Sequence, residues 1–369
     1  MKYRLFNIVV VIAMLVCLGA TSVTGNRQST IGNKKIGTPF KLDYPAYFGN
    51  RVFIPADNPT TEEGVQLGRM LFYETKLSGN NQISCAHCHQ QERAFTDGMA
   101  FSKGVDGTPT PRNSMSLANL LWIRNFFWDG RVNGLEAQAA VPLTDPHEMG
   151  QALDISARKL QQTALYPPLF NKAFGTATVS GDLIVKALAQ FERTLISANS
   201  RYDQYLRGAY QPTASERNGM ALFFGNPDMN RNVRGASCGH CHGGPKTFSE
   251  LFHNNGLDSI PADAGREKIT GQSIDRGRFR VATLRNIALT APYMHDGRFS
   301  SLEQVVDHYN EHIQPSATLS TFLQHDQPGM RGTQLGLSIA EKKDLVAFLH
   351  LLTDSSFITD KRFSNPFIK

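Results

Sequence analysis

The sequence predicts a mainly α-helical protein made of two copies of one domain, and three observations predict it. Two long stretches of the chain match each other, at an offset of 153 and then of 167. Apolar residues recur at helical spacing between short connections rich in Gly, Pro and Asn, and no alternating run is long enough to suggest a sheet. Each copy holds one Cys-x-x-Cys-His motif. With 369 residues, 41% hydrophobic and 19% charged, the chain can bury a full core, which argues against a disordered chain or a disulfide scaffold.

At the start, Lys2 and Arg4 precede an apolar stretch from Ile8 to Ala20, the layout of an export signal. Its thirteen residues are short for a membrane span. Residues 1–25 are therefore expected to be a signal peptide and the folded part periplasmic, with an uncleaved anchor as the alternative because the cleavage pattern is weak. Cys17 belongs to this segment. The net charge of +6 falls to +4 without Lys2 and Arg4, and no Lys/Arg run of nucleic-acid type occurs, so no nucleic-acid partner is expected.

An offset of 153 aligns Thr60 with Thr213, Glu63 with Glu216, Cys85 with Cys238, His89 with His242 and Phe95 with Phe248. Thr60-x-x-Glu63 and Thr213-x-x-Glu216 both read as capping boxes that open a helix. Further on the offset becomes 167, aligning Ser116 to Asn119 with Thr283 to Asn286 and Trp128 to Arg131 with His295 to Arg298. The second copy thus carries 14 extra residues between Phe248 and Thr283, a Gly-rich, charged stretch that reads as a loop. The expected domains are residues 40–203 and 204–355.

The motifs are Cys85-Ala86-His87-Cys88-His89 and Cys238-Gly239-His240-Cys241-His242. In an exported protein four cysteines first suggest two disulfides. A Cys-x-x-Cys ring is tight, however, and does not explain why His follows immediately in both copies. Covalent haem attachment does: two thiols add to the porphyrin vinyl groups and the adjoining imidazole reaches the iron. Cys85, Cys88, Cys238 and Cys241 are then the attachment residues of two c-type haems, His89 and His242 the proximal ligands, and the fold two cytochrome c-like haem domains. His87 and His240 are expected to point elsewhere.

A protein that only carries electrons fills both axial positions of its haems, whereas one that reacts with peroxide or oxygen leaves one open. Between His89 and His147 there is no histidine, and Met99 and Met115 are the thioether candidates, so the first haem is expected to have an open side. Its wall is expected in Phe126 to Arg131 and Asn133 to Gln138. Glu136 has two compatible readings: the N3 partner of an Asn133 cap, or an acid–base carboxylate that moves a proton between peroxide oxygens. In the second copy Ser300 to His312 reads as a helix with Leu302, Val305, Val306 and Tyr309 on one face. Tyr309 is a core tyrosine or the sixth ligand of the second haem, with Met294, His295 and His308 as competitors.

The two haem motifs, with Phe127-Trp128-Asp129-Gly130-Arg131, Leu135-Glu136-Ala137-Gln138-Ala139 and Ala291 to Arg298, resemble the bacterial di-haem cytochrome c peroxidases and their MauG branch over residues 45–352. The resemblance implies a peroxidase that reduces hydrogen peroxide at the N-terminal haem and uses the C-terminal haem as electron relay. It places the distal glutamate on Glu136, and a calcium ion between the domains on Asn113, Thr290 and Pro292. It makes Tyr309 the sixth ligand, as in the MauG branch, where ordinary peroxidases have Met. It implies either a small periplasmic electron donor, a cytochrome c or copper protein, or a protein substrate that the enzyme oxidises, and it allows a homodimer. Phe126 replaces the family's distal Gln, and the sequence leaves open whether Trp122 or Trp128 lies between the irons. The rival from another class is a di-haem electron carrier with both irons six-coordinate.

Overall fold

The computed structural model describes residues 37–227, 234–327 and 330–368, so the expected signal segment with Cys17 lies outside the described residues. Among the described residues no helix is long and apolar enough to cross a membrane. The first half contains α1 (Glu62–Phe72), α2 (Leu135–Thr144), α3 (Leu153–Gln161), α4 (Tyr166–Phe174) and α5 (Gly181–Glu192). The second contains α6 (Arg201–Leu206), α7 (Ala214–Phe224), α8 (Leu302–Asp307) and α9 (Ile339–Leu351), followed by α10 (Ser355–Thr359). Single helical turns carry Cys85–Cys88 and Glu267–Thr270. The architecture is mainly helical, as the periodicity predicts, with three antiparallel ribbons of two or three residues a side among the described residues.

The helix starts follow the sequence logic with local substitutions. At α7 the expected box forms: the Thr213 hydroxyl accepts from the Glu216 amide and the Glu216 carboxylate accepts from the Thr213 amide. At α1 the cap is Thr61, not Thr60, because the Glu63 carboxylate is claimed by the amide and hydroxyl of Thr38. At α2 the N-cap is Gly134 at φ 87° with no side-chain cap, so Asn133 does not form a box with Glu136, which lies in the first turn. At α8 the cap is Ser301, and Gln304, not Glu303, accepts from Ser300.

Each half packs its leading helix against a later one through a glycine. A Cβ on Gly68 of α1 would lie 1.9 Å from the Ala187 carbonyl of α5, and one on Gly219 of α7 would lie 1.9 Å from the Asp344 carbonyl of α9. Only glycine permits so close a crossing. Two apolar cores result. The first runs from Leu67 to Leu195 and also takes Phe357 and Phe363 from beyond the second half. The second runs from Tyr202 to Leu352. A smaller cluster of Phe48, Leu121 and Trp122 stands apart. Each buried phenylalanine contributes on the order of 1.5–3 kcal/mol.

The 14-residue excess of the second half folds into a defined excursion. Phe252 pairs with Arg280 and His253 with Phe279, closing a loop that carries Asp263 and Lys268.

Candidate functional site

The Cys85–Cys88 turn sets two thiols three residues apart on one helical face, with His89 following at its end. Cys238–His240 begins the same arrangement in the second half. All four cysteines are free, so the disulfide reading of the sequence is set aside. Burial raises every thiol, Cys238 up to about 12 and Cys88 and Cys241 up to about 11. They are neutral at physiological pH, unlike the thiolates of redox-exchange motifs.

His89 Nδ1 lies 2.8 Å from the Phe95 carbonyl, and His242 Nδ1 lies 3.3 Å from that of Thr247. A carbonyl only accepts, so Nδ1 carries the proton and the Nε2 lone pair is free for a metal. Burial lowers both imidazoles, His242 to about 4, and keeps them neutral. Phe95 and Thr247, the two residues that supply these carbonyls, hold φ of 63° and 54°. Non-glycine residues in this region are strained, and here the strain turns a carbonyl onto each histidine.

Each motif borders its own cavity. The first, about 400 Å³, is lined by Cys85, Cys88 and His89 together with Phe126, Leu188 and other apolar groups. The second, about 230 Å³, is lined by Cys238, Cys241, His242, Met294, His295 and Tyr309. Arg280 borders both, is 5% exposed, and leaves Nη1 without a partner. Arg112, Arg131 and Lys268 also line the first cavity. Apolar walls with an orphaned buried cation fit a flat apolar group bearing carboxylates, and paired thiols beside a neutral imidazole fit its attachment, so both cavities fit a haem.

In the first cavity His89 is the only histidine among the described lining residues. Met115 lines it, but its Sδ accepts from Arg280 at 3.3 Å, while Met99 is half exposed and lies outside the lining. Met149 also lines the cavity, which the sequence reading missed. Phe126 makes part of the wall, at the place where the resemblance implies Gln. Glu136 is not a lining residue: its carboxylate accepts from Asn58 at 2.6 Å and is ion-paired with Arg193. The carboxyl groups that do line the cavity are Asp129, Glu148, Glu192 and Asp263. Asp129 is paired with Arg112 at 2.6 Å, and Asp263 with Arg112 at 2.7 Å and Lys268 at 2.8 Å.

In the second cavity Tyr309 sits on a π-helical turn, His308–His312, that continues α8. Such turns are frequent at functional sites, and this one directs the phenol inward. The Asn255 amide donates to the Tyr309 hydroxyl at 3.2 Å and to Met294 Sδ at 3.4 Å. Burial pushes Tyr309 up to about 12, so the phenol stays protonated unless a cation binds it. His308 Nε2 lies 3.0 Å from the Asn255 carbonyl, outside the lining. His295 is stacked on Phe279 at 3.8 Å.

Trp128 borders both cavities and donates its indole N–H to the Asn113 carbonyl at 2.8 Å. Trp122 borders neither and belongs to the Phe48 cluster. Asn113, Thr290 and Pro292 meet around a third cavity of about 70 Å³. Among the described residues no cluster of three or more His, Cys, Asp or Glu suits a metal ion. Gln138 lies in the wall the sequence led one to expect, whereas Asn255, Glu192 and Arg280 escaped the sequence reading, and no local motif marks them.

A family profile described as di-haem cytochrome c peroxidase matches residues 62–211. The methylamine utilization protein MauG of Methylorubrum extorquens is 34% identical over 346 residues, covering 92% of this chain and 93% of that protein. The cytochrome c551 peroxidase of Nitrosomonas europaea is 35% identical over 259 residues, 69% of this chain and 75% of that protein. A solved MauG-like protein associated with microbial copper homeostasis superposes with a TM-score of 0.81 at 38% identity, covering 89% of this chain and all of that one. With two cavities of the same thiol-and-imidazole construction already in place, these likenesses establish that the chain belongs to the di-haem cytochrome c peroxidase and MauG family of oxidoreductases.

Proposed function

We propose that this chain is an exported, MauG-like peroxidase that reduces hydrogen peroxide at its N-terminal site and uses its C-terminal site to relay or store oxidising equivalents. The observation that carries the reading is the inequality of the cavities. Among the described lining residues the first has no second histidine and no tyrosine, and of its methionines Met115 is engaged by Arg280 and Met149 is left, while the second holds Tyr309, Met294 and His295. One position is therefore open to a small oxidant and the other is furnished with ligands.

Cys85 and Cys88 would hold the first haem covalently and Cys238 and Cys241 the second, with His89 and His242 as the histidines that would bind the irons. When bound, the haems supply the redox equivalents that peroxide reduction consumes. The Phe95 and Thr247 carbonyls fix the two imidazoles. Tyr309, held by Asn255, would supply a phenolate ligand to the second haem. Phe126 and its apolar neighbours limit water in the first cavity. Proton handling falls to carboxyl groups of α2 and α5, among them Glu136, which the family resemblance marks. Trp128, in the wall of both cavities, is the path between them. Calcium is assigned to Asn113, Thr290 and Pro292: an amide oxygen and two carbonyls are the hard donors it takes, and all three residues border the third cavity.

The reductant is a small periplasmic cytochrome or copper protein. The likeness to MauG proteins favours a second reading, oxidation of residues on a partner protein. Mixing the fully ferric protein with hydrogen peroxide in a stopped-flow spectrometer tests the common part. An immediate spectral change without prior reduction is expected, and its absence refutes the mechanism. Tyr309→Phe is expected to alter the low-spin spectrum, and an unchanged spectrum moves the ligand role to Met294 or His295.

A further inference from the structure

One buried cation borders both cavities without a counter-ion. Arg280 lines the first and the second, is 5% exposed and leaves Nη1 without a hydrogen-bond partner. The ribbon that closes the second copy's excursion holds it there: Arg280 pairs with Phe252 across the ribbon, and its amide donates to the Trp128 carbonyl at 2.7 Å. Its Nε donates to the Phe127 carbonyl and its Nη2 to Met115 Sδ, each at 3.3 Å. A guanidinium carries five N–H donors, so three remain, two of them on Nη1.

The neighbouring charges do not answer it. Arg112, Arg131 and Lys268, which also line the first cavity, are each paired with Asp129 or Asp263. Among the described residues no carboxylate lies within ion-pair distance of Arg280. The acidic group that acts on it from further off is Glu250, whose carboxylate accepts from the Arg124 and Asn125 amides. Burial lowers Arg280 only to about 10, so it is a cation at neutral pH. A buried guanidinium with no anion is strongly disfavoured, and the complete protein must bring it one. Peroxide and water are neutral, whereas each haem bears two propionate carboxylates, the planar acceptors that a guanidinium fork fits.

We propose that Arg280 is shared by the two haem sites, its free N–H donors binding a propionate of each haem, so that one guanidinium fixes the two groups relative to each other and raises both reduction potentials together. This rests on both cavities taking a haem. The donors belong to one rigid planar group, so the carboxylates it binds are set at a fixed spacing. Its single positive charge favours the reduced iron at either site, so the two potentials move together when that charge is removed.

Spectroelectrochemical titration of the holoprotein reads the reduction equilibrium of each haem, and a haemochrome assay counts the haems. Arg280→Gln should lower both equilibrium constants, each by roughly tenfold, the order of effect of one unit charge in a partly dry interior. A fall at one haem alone, or at neither, overturns the proposal. The fall should persist when Met115→Leu is added, because that change removes the thioether that Arg280 also holds; a fall that vanishes there belongs to the thioether and overturns the proposal. Arg124→Gln removes an exposed arginine stacked on Phe53 and should leave both equilibria within threefold of the parent, and an equal fall there overturns the assignment to Arg280. Arg280→Lys serves where the neutral variant does not assemble. It keeps the charge but cannot fork, so both equilibria should stay within threefold while the propionate-bending bands in resonance Raman shift at both haems; unmoved bands overturn the proposal. A parent with fewer than two haems per chain sinks the reading of the cavities and the proposal with it, whereas two haems with unshifted equilibria in Arg280→Gln sink the proposal alone.

Discussion

Asp203→Asn is the substitution whose cost the structure fixes most directly. The Asp203 and Arg285 side chains are both 0% exposed and form an ion pair. Arg285 also donates to Ser200 Oγ at 3.1 Å and to the Pro245 carbonyl at 2.9 Å, and its guanidinium lies 5.2 Å from the Phe48 ring. Asp203 in turn accepts from Tyr47 at 3.0 Å and closes the capping box of α6. The amide keeps the shape but removes the charge, leaving a guanidinium in the interior without a counter-ion. Breaking a buried pair in this way costs about 3–5 kcal/mol. With an unfolding entropy of roughly 2.1 cal/mol/K per residue, that lowers Tm of this chain by about 4–7 °C. Calorimetry of the holoprotein reads the shift. Because Arg285 grips Pro245, in the loop that leads to Thr247 and its hold on His242, the second haem's spectrum should move as well. Asp203→Leu combined with Arg285→Met should recover most of the loss, since no charge is then buried. A single-variant loss below about 1 kcal/mol would refute the reasoning, for the pair would then behave like an exposed one.

Gly219→Ala places a methyl group 1.9 Å from the Asp344 carbonyl and should cost about 1–3 kcal/mol in denaturant unfolding; an unchanged midpoint would show that α7 and α9 do not cross so closely. Glu341 is held down to about 2, first by its hydrogen bond from Arg234. Its folded pKa lies below the ordinary carboxylate value of 4.5, so the stability it gives is complete above that pH and fades as pH falls toward 2. The pair is partly exposed and contributes less than about 1 kcal/mol. Arg234→Gln should flatten the acid limb of the stability curve, and an unchanged limb would exclude the pair.

The repeat, the haem motifs and the helical class were legible because each is local: offsets, spacings and periods need no three-dimensional knowledge. The caps were legible only where nothing competed. Thr213 and Glu216 close their box, whereas Glu63 is taken by Thr38, a residue 25 positions away that no periodicity marks. Tyr309 was readable as inward-facing, but no periodicity marks its π turn, and its tie to Asn255 depends on the excursion within the second copy. The direction of Glu136 was not readable. Its partners Arg193 and Asn58 lie 57 and 78 residues distant, and they draw its carboxylate away from the lining of the first cavity. Glu192 and Gln138 sit on different helices, and only the packing of those helices brings them to one cavity.

The excursion of the second copy has a consequence for the duplication itself. Asp263 and Lys268, from the second half, complete the wall of the first cavity, and Phe357 and Phe363, from beyond it, fill the first core. The two copies are therefore no longer modules. A cut at the junction would leave the first half with an incompletely walled cavity and a core missing two phenylalanines. A substitution at Asp263, Lys268, Phe357 or Phe363 is therefore expected to act on the first cavity or its core from the later part of the chain.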